Sequence, residues 1–268
     1  MDHPREILKR LGLSPKHSWG QNFLSDEGVL ERIAEEALLR PGEPCVELGP
    51  GLGHLTHYLL ASGAKVTAVE RDRDMVRALN EQKFEGLTVV EGNAAETDFA
   101  KVANAEQVVV VGNLPYHLSS PILFEVLDQV EHVPRAVFTL QKEVVDRLAA
   151  EPGNRDYGIL TVMLGLRFRV ENVFDVPAHL FHPPPKVDSA VLKLTRLEKP
   201  RAEVKDELRF RMVVNAGFAQ RRKTLSNSLK SDKTLNWDGV LERAGIDGSR
   251  RAETLSVEEF ASIERALG

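Results

Sequence analysis

The 268-residue chain is predicted to be an α/β protein: a doubly wound domain with a mostly parallel sheet, then a small all-helical domain. Three observations carry this. Short apolar, β-branched runs recur between residues 44 and 141, with helical stretches between most of them. The first run ends in a cluster of glycines, as at a strand-to-helix junction where a ligand meets the backbone. After Pro200 the strand signal disappears and four helical segments follow.

In chain order, "MDHPREILKRLGLS" is a short charged amphipathic segment without the apolar core of a signal peptide. In "SPKHSWGQNFL", Trp19 and Phe23 around Gly20 and Gln21 suggest a loop closing over a pocket; ordinary N-terminal packing competes with that reading. Residues 28–39 read as an amphipathic helix, "PCVELGPGLG" as an apolar strand and its turn, and "HLTHYLLASG" as a helix stopped by Gly63. Strands follow at "KVTAVE" (65–70), "LTVVEG" (87–92), "QVVVVG" (107–112) and "RAVFTLQ" (135–141). "FRVENVFDV" and "SAVLKLTRL" read as an antiparallel pair at the sheet edge. Residues 204–217, 220–230, 237–244 and 256–267 read as helices, so the first domain is set at 1–198 and the helical one at 199–268.

Hydrophobic residues make up 42% and charged residues 28%, as in an ordinary globular protein. Cys45 is the only cysteine, so there is no disulfide framework and no cysteine-based metal cluster. No apolar run approaches the length of a membrane span. A cytoplasmic protein without membrane or metal is the expectation; His54 and His57 have near-ligand spacing but read as a helix face. The formal net charge of -5 hides an asymmetry: residues 199–268 carry 14 basic against 11 acidic side chains, and the preceding 198 carry 21 against 29. Between Lys205 and Lys233 the count is 8 basic to 3 acidic, a footprint that leans toward nucleic acid. Arg221, Arg222 and Lys223 are its centre, able to contact phosphates without reading sequence. Solvated helix faces remain the plainer alternative.

"VELGPGLG" places Glu47, Gly49, Gly51 and Gly53 at the carboxyl end of the first core strand. The spacing is G-x-G-x-G rather than the G-x-G-x-x-G of a dinucleotide site, and Pro50 removes an amide, which suits a cofactor without a pyrophosphate. Glu70 ends the next strand, where an acid accepts hydrogen bonds from ribose hydroxyls. Together they point to an adenosine-containing cofactor. Asn93, after the third strand, is placed to touch an adenine edge.

"GNLPYHLSS" ends the fourth strand, on the same side of the sheet. An adenine exocyclic amine is a poor nucleophile, because its lone pair is delocalised into the ring. Alkylating it requires acceptors that localise the pair and a surface that holds the base. The Asn113 side-chain oxygen and the Leu114 carbonyl supply acceptors, Pro115 stiffens the turn, and Tyr116 offers a stacking face. A cap, a helix-opening proline and half-buried packing are the competing roles. In "HLFHPPPKVDSAVLKL" the prolines form a stiff extended segment that fixes Phe181 beside the pocket as the second face of a base sandwich; a core role competes. Lys186 is a candidate phosphate contact or merely exposed.

Taken together, "QNFL", "VELGPGLG", "AVERD", "GNLPYHLSSPIL", "FHPPPKVDSAV", "FAQRRKTLSNSL" and "RAETLSVEEF" resemble the bacterial ribosomal RNA adenine dimethyltransferase family over nearly the whole chain. The resemblance implies a Rossmann-like class I methyltransferase using S-adenosyl-L-methionine. It implies two methyls on N6 of each of two adjacent adenosines in the 3′-terminal hairpin of 16S rRNA. The substrate would be a late small-subunit assembly particle, and the enzyme a monomer. It implies Gln21, Asn22 and Leu24 at the cofactor entrance, and Glu47, Gly49 and Gly51 on the methionine side. Glu70 would take the ribose, with Asn93 and Ala94 on the adenine side. Asn113, Leu114, Pro115, Tyr116 and Phe181 would form the target site, with Lys186, Arg221, Arg222 and Lys223 toward RNA. One departure stands out: Asn93 occupies a position where the family's pattern usually has Asp, so cofactor affinity is expected to differ modestly. Three other readings remain: a nicotinamide dehydrogenase, which leaves the G-x-G-x-G spacing unexplained; the related large-subunit (23S) adenine N6-methyltransferase of macrolide resistance; and a non-catalytic RNA-binding assembly factor.

Overall fold

The computed structural model describes residues 1–16 and 19–267. The chain divides into two compact units, Met1–Val145 with Glu171–Arg196, and Asp146–Val170 with Leu197–Gly268.

The first unit is built on the apolar runs. β2 (Pro44–Leu48), β3 (Lys65–Glu70), β4 (Leu87–Glu91), β5 (Val109–Asn113) and β6 (Arg135–Gln141) are joined in parallel. Among the described residues they belong to a seven-stranded sheet of order β4-β3-β2-β5-β6-β9-β7, where β7 is Phe168–Val176 and β9 is Ser189–Arg196. β9 runs antiparallel to β6, and β7 takes the edge beside it, where the sequence put this pair. The chain leaves β2 toward β3 and β4, then returns to the other side of β2 as β5. That reversal makes the β2–β5 border the topological switch point, where open α/β sheets bind ligands. The strands are so close at this border that a Cβ on Gly112 would sit 2.6 Å from the Leu48 carbonyl oxygen, so only glycine fits.

The linking helices are α2 (Glu27–Glu36), α3 (His54–Ala61), α4 (Arg73–Gln82), α5 (Phe99–Ala103) and α6 (Ser119–Asp128). Asp26, Asp72 and Asp98 cap α2, α4 and α5 through side-chain acceptors, each satisfying an amide the helix start leaves open. The sheet's apolar residues, with Ile33, Leu55 and Leu59 from α2 and α3, form a core whose members include Leu24 and Phe181. Those two residues pair across a two-stranded ribbon, β1 (Phe23–Leu24) with β8 (Phe181–His182). A smaller cluster packs Ile7 and Leu8 of α1 (Pro4–Leu11) on Phe23, Leu52 and Met75.

The second unit is helical: α8 (Ile159–Arg167), α9 (Glu207–Phe218), α10 (Leu225–Ser231), α11 (Val240–Arg243) and α12 (Val257–Ala266), preceded by the last three residues of α7 (Lys142–Leu148). It takes in Asp146–Val170, ahead of the boundary at residue 199 that the sequence predicts. The reason is packing: residues Thr161–Leu166 of α8 are buried, and α8 contacts α9 and α12. A Cβ on Gly165 would meet Val257 at 3.2 Å, so the glycine lets α8 lie close to α12. The helix expected from residue 220 begins instead at Leu225. Ser228 Oγ accepts from the Gln220 amide and donates to the Ala216 carbonyl, which turns the chain between α9 and α10.

Candidate active site

A cavity of about 260 Å³ opens at the switch point, walled by the carboxyl ends of β2, β3 and β5, the turn after β4, and the segment from Trp19 to Leu24. Every residue assigned from the sequence to the cofactor and target base lines it, from Gln21 through Glu47, Glu70, Asn93, Asn113 and Tyr116 to Phe181.

Two buried acids, Glu47 and Glu70, stand on the β2–β3 side of the cavity. Glu47 lies in β2, and its Oε2 accepts from Thr56 Oγ1 at 2.6 Å. Burial pushes its carboxyl up to about 8, and repulsion from Glu70 adds to this. Glu70 closes β3; its oxygens accept from the Asp72 amide at 2.8 Å and the Gly51 amide at 3.1 Å. Burial raises its pKa, and those two amides oppose the rise. Neither acid has a basic side-chain partner among the described residues. Gly49 and Gly51 hold φ of +67° and +56°, the left-handed region where side chains are strained.

Asn93 caps the short 3-10 turn Ala94–Glu96: its Oδ1 accepts from the Ala95 amide at 3.2 Å, and its Nδ2 donates to Glu96 Oε1 at 2.7 Å. On the far side, Asn113 Nδ2 donates to the Asn22 carbonyl at 3.0 Å. A carbonyl accepts only from the amino end of the amide, so Oδ1 keeps its capacity to accept. The Leu114 amide donates to the Thr139 carbonyl at 3.2 Å, which anchors the turn to β6. Tyr116 is half-buried, with its hydroxyl 2.9 Å from Ser189 Oγ. Phe181 is 4% exposed, so it serves the core as well as the cavity wall.

The entrance segment is tied down by contacts the sequence reading missed. Lys16 Nζ donates to Asp72 at 2.6 Å and Asp74 at 2.8 Å, and Gln21 Nε2 reaches Asp72 at 2.7 Å. The Trp19 ring lies 5.3 Å from the Lys16 ammonium and 5.5 Å from the Arg71 guanidinium. Asp72, within the charged run "ERDRD", is 2% exposed. His54 Nε2 lies 3.0 Å from the Asp2 carbonyl, and among the described residues no group of His, Cys, Asp and Glu is placed to hold a metal ion.

Lys186 is exposed, as are Arg221, Arg222 and Lys223 in the turn before α10. Arg221 is not a free cation: its Nη2 donates to the Arg155 and Tyr157 carbonyls at 2.7 and 3.3 Å. No helix among the described residues is long and apolar enough to cross a membrane.

The family model for ribosomal RNA adenine dimethylases matches residues 12–267. The chain belongs to the ribosomal RNA adenine dimethylase family. Similar relatives are the ribosomal RNA small subunit methyltransferase A of Myxococcus xanthus, 65% identical over 100% of this chain and 96% of its own, and that of Bacillus cereus, 42% identical over 98% and 94%. Among solved structures, a dimethyladenosine transferase from Plasmodium falciparum superposes with a TM-score of 0.77 at 26% identity, covering 90% of this chain and 95% of its own. The 23S rRNA methyltransferase ErmE gives 0.71 at 30%, covering 92% and 99%.

The dimethylase is thus an S-adenosylmethionine-dependent enzyme with a Rossmann-like class I methyltransferase core and a helical subdomain. Its cavity fits that cofactor chemically. Two buried acids without cations of their own suit a ligand that carries an ammonium, a sulfonium and a ribose diol. Glu47 and the bare Gly49–Gly51 backbone would hold the methionine end, Glu70 the ribose, and Asn93 with Ala94 the adenine.

Proposed function

We propose that this enzyme methylates N6 of two adjacent adenosines in the 3′-terminal hairpin of 16S rRNA, giving N6,N6-dimethyladenosines on a late small-subunit assembly particle. The observation that carries the target half is the Asn113 amide, held by the Asn22 carbonyl with its oxygen left to accept. Bound S-adenosylmethionine supplies an electrophilic methyl group. In the first transfer Asn113 Oδ1 and the Leu114 carbonyl accept from the two amine hydrogens, and in the second, one of them accepts from the hydrogen that remains, drawing the nitrogen lone pair out of conjugation. Tyr116 and Phe181 hold the extruded base so that the nitrogen stays in line, while Pro115 keeps the turn rigid. The nitrogen's surplus proton leaves to solvent. Catalysis rests on placement and on acceptors fixed before the base arrives.

The exposed Arg222 and Lys223 of the helical unit, with Lys186, are read as phosphate contacts that position the RNA without reading its sequence. The enzyme is read as a cytoplasmic monomer. The small-subunit names of the 65% and 42% identical relatives support the 16S target, while the fold shared with ErmE favours a 23S target as the second reading.

The test is labelled methyl transfer to small and large ribosomal particles that lack the modification, followed by mapping of the labelled nucleotide. Label on two neighbouring adenosines of the small particle is expected. Label confined to the large particle would overturn the 16S reading.

A further inference from the structure

We infer that Asp188 and Ser189, consecutive residues at the head of β9, are positioning residues that set the two aromatic walls of the target-base pocket. The inference rests on the reading of Tyr116 and Phe181 as those walls. Ser189 is fully buried, and its Oγ lies 2.9 Å from the Tyr116 hydroxyl. Its Cα partner is Gln141, the last residue of β6, two places along from Thr139, which pairs with Asn113. The hydroxyl that holds Tyr116 is therefore registered, through β6, to the residue that holds the amine. Swinging the ring would break this bond and leave a buried serine hydroxyl unpaired, which opposes the motion.

Asp188 acts on the other wall. Its Oδ1 accepts from the Ala178 amide at 2.9 Å, and its carbonyl accepts from the Lys142 amide at 3.0 Å. Ala178 opens the 3-10 turn Ala178–Leu180, which leads directly into Phe181. The far end of that turn is held by Ser25, the residue after β1, whose amide and hydroxyl both donate to the Leu180 carbonyl at 3.1 Å. Phe181 then pairs with Leu24. Neighbouring residues in an extended chain send side chains to opposite sides, so one dipeptide reaches both walls. The Ser189 bond is sheltered and the Asp188 bond is exposed, so Ser189 is expected to matter more.

The experiment measures methyl transfer to unmodified small-subunit particles alongside S-adenosylmethionine binding by calorimetry and a thermal melt for each variant. Ser189→Ala is expected to lower kcat/KM for the particle roughly ten-fold, with the cofactor dissociation constant unchanged. Tyr116→Phe should lose a similar factor, and the double variant no more than either alone, because both remove one bond. Should Ser189→Ala not fold, Tyr116→Phe removes that bond from its other end. Asp188→Ala should lose about three-fold, and Asp188→Asn, which keeps an acceptor for the Ala178 amide, should retain activity. Losses that add in the double variant, or that fall equally on cofactor binding, overturn the bracing role. Full activity of Ser189→Ala and Asp188→Ala beside inactive Tyr116→Ala and Phe181→Ala overturns it while leaving the base-pocket reading intact. Active Tyr116→Ala and Phe181→Ala would remove the base-pocket reading and this inference with it.

Discussion

Asn113 and Asn22, 91 positions apart, are joined by a hydrogen bond of 3.0 Å from a side-chain amide to a main-chain carbonyl. The entrance segment thereby orients the group proposed to receive the target amine. Asn113→Asp is the informative change, since a carboxylate cannot donate to Asn22 and is repelled by its carbonyl. Methyl transfer should fall roughly hundred-fold, as when one preorganised polar group is lost from a reaction site. Single-turnover kinetics at saturating cofactor measures it; a rate within three-fold of wild type, on the order of a single exposed hydrogen bond, would refute the role.

Glu47 makes the cofactor half pH-dependent. In the unfolded chain its carboxyl titrates near 4.5, and in the fold near about 8, so across that window the folded state keeps a proton the unfolded state has lost. Stability therefore falls as pH rises from the carboxylate range toward 8. Glu47→Gln should remove that penalty, raising stability at pH 8 by about 1–3 kcal/mol with little change at pH 4. Chemical denaturation at both pH values checks this. A cation bound beside Glu47 favours its ionised form, so cofactor binding near pH 7 should release a proton. Calorimetry in buffers of different ionisation enthalpy reads that release, and Glu47→Gln should abolish it.

Asn93 is matched to Glu96 by the 2.7 Å bond from its amide. An aspartate at this position would set two carboxylates against each other at the end of the cavity proposed to take the adenine. Asn93→Asp alone should weaken cofactor binding about three-fold, a loss typical of one exposed hydrogen bond exchanged for repulsion. Asn93→Asp with Glu96→Gln should recover it, because glutamine can donate to the new carboxylate. Fluorescence titration of the three proteins tests the pairing; equal affinities would refute it.

The basic turn should behave as two different kinds of residue. Arg222→Ala and Lys223→Ala should each reduce the salt dependence of RNA binding by about one counterion. Arg221→Ala should act mainly on stability, because its guanidinium spans the Arg155 and Tyr157 carbonyls. Binding measured over a salt series, with a thermal melt for each variant, separates the two. An Arg221→Ala protein with an unchanged melt and a reduced salt slope would contradict the assignment.

The central sheet was legible because parallel strands buried on both faces leave continuous apolar runs, as in residues 107–112. The cavity was legible because its acids and its Asn-Leu-Pro-Tyr turn all fall at strand ends, so one-dimensional spacing already encodes their shared edge. The helical unit's true start was not. Val162–Leu166 carries no polar side chain on any face, and such a run does not reveal which body it will pack into. The Lys16–Asp72 contact was equally invisible: its partners lie 56 positions apart, and neither has a local signature. Arg221–Lys223 carry no glycine or proline to announce a turn; the Gln220 amide, just past the preceding helix, donates instead to the Oγ of Ser228, five residues past Lys223.

The missing side chain at Gly112 has a pharmacological consequence. Because β2 and β5 meet backbone to backbone at that point, the acids proposed for the cofactor and the acceptor proposed for the target amine face one undivided chamber. A single inhibitor joining an adenosyl group to a second nucleoside could engage Glu70 and Tyr116 at once. Its second half would then bind at the effective concentration set by the linker rather than at its own dilution.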